Sequence, residues 1–78
     1  MNIHPEKILE LIELTCLNLD IKKLKPDSSL SKLGVDSMDK ASLILEIEET
    51  YGISIPDSNF EKLDSLNEIL IYLKQHIS

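Results

Sequence analysis

Apolar residues recur at helical spacing in the first segment of the chain: Ile8, Leu11 and Ile12, Thr15 and Cys16, and Leu19 fall on one stripe, while Glu6, Lys7, Glu10 and Glu13 lie largely outside it. The pattern predicts an amphipathic helix starting near Pro5, because proline suits the first helical position and Glu6 meets the positive end of the helix dipole. From Asp20 to Val35 no period is sustained, Pro26-Asp27-Ser28-Ser29 reads as loop, and Gly34 closes the stretch. Ile21, Leu24, Leu30 and Leu33 would pin this long loop to a core, with or without a short helical turn inside it. A second helix is expected from Asp36 or Ser37 to about Tyr51, capped by Asp36 with Asp39 three residues later as in a capping box, and stopped by Gly52. Leu43, Ile44, Ile47 and Tyr51 form its core stripe. Met38, Ser42, Leu45, Glu48 and Glu49 fall on or near another face.

Ile53-Ser54-Ile55 alternates like a strand, but Pro56 follows and no partner strand is available, so an extended linker is predicted. A short helical segment is expected from Asp57 to Leu63. The last helix should start after Asp64 or Ser65, with Leu66, Ile69 and Leu70, Leu73 and Ile77 on its buried side. Amphipathic helices joined by short connections predict an all-α fold: one domain over residues 1–78, with three longer helices and one short helix.

Composition narrows the function. Fourteen acidic against eight basic residues give a net charge of −6. That excess argues against nucleic acid and anionic membranes as partners and favours basic protein surfaces. Cys16 is the sole cysteine, so no internal disulfide can form and a reducing compartment is expected. Met1 to Glu6 has neither the basic start nor the apolar core of a signal peptide, and no apolar run approaches spanning length. A cytoplasmic monomer is the expectation.

The chemistry points away from catalysis. His4 and His76 are the only histidines, both near the ends of the sequence, and neither offers a base to activate a serine in the manner of a triad. No Cys or His pair has metal-ligand spacing, no glycine-rich loop is built to cradle phosphate, and the carboxylates show no general acid and base pairing. A serine that functions here needs another enzyme to act on it. Locally, Asp36-Ser37 is explained by helix capping alone.

The longer run Leu33-Gly34-Val35-Asp36-Ser37-Met38 resembles the modification motif of acyl carrier proteins, and the similarity continues through Glu48-Glu49 and Ile55-Pro56-Asp57. The resemblance implies a free-standing acyl-carrier-like bundle that bears 4'-phosphopantetheine on Ser37 through a phosphodiester. Asp36 would help dock the phosphopantetheinyl transferase that uses coenzyme A as donor. The arm's thiol would hold acyl groups as thioesters for acyl-transferring or ketosynthase-type enzymes with basic docking surfaces. Met38, Asp39, Leu45, Glu48 and Glu49 would form the recognition face. Ile44, Ile47, Ile55, Phe60, Leu63, Ile69 and Tyr72 would line an acyl pocket.

A helix start suits a phosphodiester anion, whereas the like charges of Asp36 and Asp39 are expected to direct the phosphate and its arm outward into solvent. Lys40 and Ser42 interrupt the acidic face that fatty-acid carriers usually show. The Ser29 to Gly34 spacing is one residue shorter than their pattern, and Phe60 and Ile69 stand where they often carry small residues. These departures resemble carriers dedicated to polyketide or other specialised biosynthesis. Two alternatives stay open from the residues: an aminoacyl or peptidyl carrier, and an unmodified acidic adaptor domain that binds partner helices.

Overall fold

A computed structural model describes residues 3–17 and 19–77 of the chain. Three α-helices, α1 (Pro5–Thr15), α2 (Ser37–Tyr51) and α3 (Leu66–Ile77), are joined by segments that contain two short 3-10 turns, Ile21–Lys23 and Asp57–Asn59. Among the described residues there is no strand, and Ile53 to Ile55 form a linker without regular secondary structure that leads into Pro56.

In α1, Pro5 occupies the first turn behind His4, whose backbone is extended, and Ile8, Leu11 and Ile12 are buried. The helix ends before its predicted stripe does. The Thr15 hydroxyl donates back to the Leu11 carbonyl at 2.8 Å, and Thr15 and Cys16 are weak helix formers with little to sustain another turn. Leu19 is consequently held half-buried beyond the helix, its N–H donating to the Cys16 carbonyl at 3.0 Å. Cys16 itself is 2% exposed. Burial pushes its thiol up in pKa, the hydrogen bond with Thr15 works against this, and the charges of Asp39 and Asp36 add to the rise.

The loop from Asp20 to Val35 does contain a helical turn, Ile21–Lys23, capped by the Asp20 carboxylate, which accepts from Lys22 N–H at 3.1 Å. Leu30 is its fully buried anchor, with Ile21, Leu24 and Leu33 half-buried. Backbone bonds fasten the loop to the start of α3: Leu30 N–H donates to the Asp64 carbonyl at 2.7 Å and Asn67 N–H to that of Pro26 at 2.9 Å. Deep burial and non-local pairing explain how a stretch without periodicity is held in one conformation.

Helix α2 begins as predicted, with Asp36 Oδ1 accepting from Asp39 N–H at 2.8 Å. The reciprocal bond of a full capping box is not formed among the described residues; Asp39 is one methylene shorter than the Glu that usually reaches back. Gly52 ends the helix in the left-handed region, φ 68°, and donates to the Glu48 carbonyl at 2.8 Å, a geometry that costs glycine nothing. The short helical segment expected from Asp57 to Leu63 is present as the 3-10 turn Asp57–Asn59, followed by further tight turns in which Lys62 N–H donates to the Asn59 carbonyl and Leu63 N–H to that of Phe60. Asp57, Ser58 and Asn59 favour local turns over a helix interior, and so short a segment cannot repay α-helix nucleation. Helix α3 is capped by Ser65, whose buried hydroxyl accepts from Glu68 N–H at 3.2 Å; Leu66, Ile69 and Leu73 face the core and Ile77 is half-buried.

Helix α1 packs on α2 and on α3. The core joins Ile8 and Ile12 of α1, Leu43, Ile44 and Ile47 of α2, Ile69 and Leu73 of α3, and Leu30 of the long loop, each at most 1% exposed. Burying each such side chain stabilises the fold by about 1.5–3 kcal/mol. No described helix is long and apolar enough to cross a membrane.

Candidate functional site

Ser37 is the first residue of α2 and is exposed. Two features hold it there. Tight turns over Leu30 to Gly34 end in Val35 N–H donating back to the Leu30 carbonyl at 3.1 Å, and Gly34 adopts φ 99°, which an L side chain rarely accepts. Val35 then turns inward, 6% exposed, and delivers Asp36 and Ser37 to the surface directly above it. No Cβ at Gly34 would meet an atom within 4 Å, so glycine is required there by backbone conformation.

A groove of about 220 Å³ opens beside the serine. The first turn of α2 supplies Asp36, Ser37 and Lys40 to its lining, the long loop supplies Ser31 and Val35, and the turn after Asn59 supplies Phe60 and Glu61. The side chain of Asp64 joins two of these segments, the long loop and the first turn of α2, in one network. It accepts from the Ser29 hydroxyl, from the Ser31 hydroxyl at 2.8 Å and the Ser31 N–H at 3.1 Å, and from Lys40 Nζ at 3.3 Å. Partial burial pushes the Asp64 carboxyl up in pKa, but the hydrogen bonds from Ser29 and Ser31 and the charge of Lys40 outweigh it and hold the group below the usual carboxylate range. Nothing local in the sequence marks this network, because its bonds span 24 to 35 residues.

The residues expected to form a recognition face separate into two groups. Met38 is 78% and Leu45 54% exposed, and Ser42 and Glu49 are exposed on the same side of α2, with Asp39 half-buried beside them. Core membership, the plainer explanation for Met38 and Leu45, does not hold. Glu48 is half-buried and its carboxylate accepts from Ile55 N–H at 2.7 Å, so it fastens the linker after α2.

The expected acyl-pocket residues also divide. Ile44, Ile47, Ile55, Leu63 and Ile69 are buried in the core, and Phe60 is half-buried in the groove beside Ser37. Leu63 and Tyr72 border a separate depression of about 310 Å³ with Ile71 and Gln75. Tyr72 accepts from Asn59 Nδ2 at 3.4 Å, and its ring stacks on His76 with centroids 4.0 Å apart.

The start of α2 thus presents an exposed serine hydroxyl beside a small groove in an acidic three-helix fold. The described family "Phosphopantetheine attachment site" matches residues 6–73. An acyl carrier protein of Clostridium acetobutylicum is 36% identical over 72 residues, covering 91% of this chain and 92% of the relative. That of Rubrobacter xylanophilus is 37% identical over 75 residues, covering 91% and 93%, and that of Thermosynechococcus vestitus is 33% identical over 80 residues, covering 97% and 99%. The chain belongs to the acyl carrier protein family, whose members bear covalent 4'-phosphopantetheine. The residues at the start of α2 fit that group: the hydroxyl is open to solvent, the neighbouring backbone leaves room, and a groove lies alongside.

Proposed function

We propose that Ser37 carries the 4'-phosphopantetheine and that residues 1–78 act as a single, non-catalytic acyl carrier domain. The observation that carries this reading is the position of Ser37: the exposed first residue of α2, inside the matched region, beside a groove. A phosphopantetheinyl transferase would use coenzyme A as donor. The Ser37 oxygen forms the new bond to the pantetheine-bearing phosphorus, the adenosine bisphosphate leaves, and the hydroxyl proton passes to the transferase. Asp36, exposed next to the serine, serves as a contact for that enzyme. The arm supplies a thiol that holds an acyl group as a thioester.

Helix α2 presents Met38, Leu45 and Glu49 beside the arm, an apolar and acidic face suited to partner enzymes with basic docking surfaces. Those partners are enzymes of fatty-acid, polyketide or related specialised biosynthesis. Lys40 and Ser42 on the acidic helix, and Phe60 and Ile69 among the candidate pocket residues, favour a dedicated carrier over a general fatty-acid one. The excess of acid, −6, supports soluble protein partners in the cytoplasm.

The test is incubation with coenzyme A and a broad-specificity transferase, followed by intact-mass analysis. Wild type should gain one phosphopantetheine. Ser37→Ala should gain none, and Ser42→Ala, exposed on the same helix, should gain one. Addition to Ser37→Ala would sink the assignment.

A further inference from the structure

Lys40 stands one helical turn from Ser37. As i and i+3 on α2 their side chains are neighbours, and both line the same groove. Lys40 is the one cation on that lining, where Asp36 and Glu61 are the acids. It is not a loose surface lysine. Its ammonium lies 3.3 Å from Asp64 Oδ1 with the side chain 12% exposed, and Asp64 is itself held by Ser29 and Ser31. An ammonium has three donors, of which Asp64 engages one among the described residues. Donors therefore remain for an anion attached at Ser37.

Charge around the serine is lopsided. Asp36 and Asp39 repel a phosphodiester from the capped end of the helix, whereas Lys40 attracts it toward the groove. Below that point the lining turns apolar, with Val35 and the half-buried ring of Phe60. Repulsion by the two aspartates alone predicts an arm projecting outward; adding Lys40 and the apolar lining changes its direction.

We infer that Lys40 and Phe60 dock the first part of the phosphopantetheine arm in this groove. Lys40, while keeping Asp64, donates to a non-bridging oxygen of the phosphodiester on Ser37, and Phe60 and Val35 cover the dimethyl-bearing carbons that follow. This rests on Ser37 being the attachment serine. Lys40 is thereby a positioning residue, and the Ser29-Ser31-Asp64 network is what keeps it aimed at the groove.

The experiment compares apo and holo forms of wild type, Lys40→Arg and Lys40→Met. Intact mass first records modification, with Ser37→Ala as control, and nuclear Overhauser effects are then sought between the geminal methyls of the arm and the Phe60 ring. Holo wild type should show them, Lys40→Arg should retain them, and Lys40→Met should lose them while amide shifts of core residues stay in place. No addition at Ser37 overturns the docking together with the attachment. Addition without any methyl-to-Phe60 effect in wild type overturns the docking alone, a result that depends on no variant folding. Effects that survive intact in Lys40→Met remove the lysine from the role.

Discussion

The carboxylate of Glu48 accepts the backbone N–H of Ile55 at 2.7 Å, tying the last turn of α2 to the linker beyond Gly52. One oxygen of this acid thus satisfies a half-buried amide. Glu48→Ala should cost about 1.5–3 kcal/mol, the range for hydrogen bonds to charged groups. Glu49→Lys, at an exposed position, should stay within about 0.5 kcal/mol of wild type. Urea unfolding separates the two: equal midpoints for both variants would remove Glu48 from its structural role. Slowed acyl transfer is then informative only for Glu49→Lys, whose rate should also lose part of its salt dependence.

Met38 and Leu45 lie outside the hydrophobic core and are largely exposed. Met38→Ala and Leu45→Ala should shift stability by no more than about 0.5 kcal/mol, while Leu43→Ala, fully buried two residues before Leu45, should cost about 2–5 kcal/mol. The two surface variants should nonetheless slow transfer to cognate enzymes. Wild-type turnover with every partner would place recognition elsewhere on the molecule.

Asp64 makes stability depend on acid. Its folded carboxyl is held below the usual range, so its contribution is fully present above the ordinary aspartate pKa. The contribution shrinks as pH falls beneath that value, because the unfolded chain binds the proton first, and is gone once pH passes below the folded value. Asp64→Asn should be less stable than wild type at neutral pH, and the gap should narrow on acidification over that window. Denaturant midpoints measured from neutral to strongly acid conditions check this; a gap that widens toward acid reverses the sign and rejects it.

Phe60 lines the groove next to Ser37. An acyl chain kept out of the protein leaves each methylene in water, forfeiting about 0.8 kcal/mol apiece. Thermal stability of the loaded carrier should therefore plateau at short acyl chains in wild type and continue to rise to longer ones in Phe60→Ala. Parallel rises through the long saturated range in both proteins would show that Phe60 sets no limit.

The helices were legible because their determinants are local: the stripe of Ile8, Leu11 and Ile12, the Asp36 cap and the Gly52 stop each act within a few residues. Ser37 was legible for a different reason, the resemblance of its flanking residues to a family motif, since capping alone explains a serine there. What stayed hidden was long-range. That Glu48 turns to Ile55, that Leu30 and Asp64 fasten the loop to α3, and that Ser29, Ser31 and Lys40 converge on one carboxylate all depend on tertiary approach. The short helical segment expected from Asp57 to Leu63 is present at its start as the 3-10 turn Asp57–Asn59, and its Asp, Ser and Asn residues favour tight turns over the rest.

Cys16 lies 2% exposed with its thiol pushed up in pKa by burial, and a protonated, inaccessible sulfur is a poor nucleophile. In a protein whose working group ends in a thiol, that seclusion enforces chemical bookkeeping. Activated acyl donors and alkylating labels all meet a single reactive thiol, the one on the arm. Cargo cannot be misplaced onto the polypeptide, and the folded chain cannot lock its own arm into an internal disulfide. A maleimide count on the native holo protein thus reads occupancy of the arm directly.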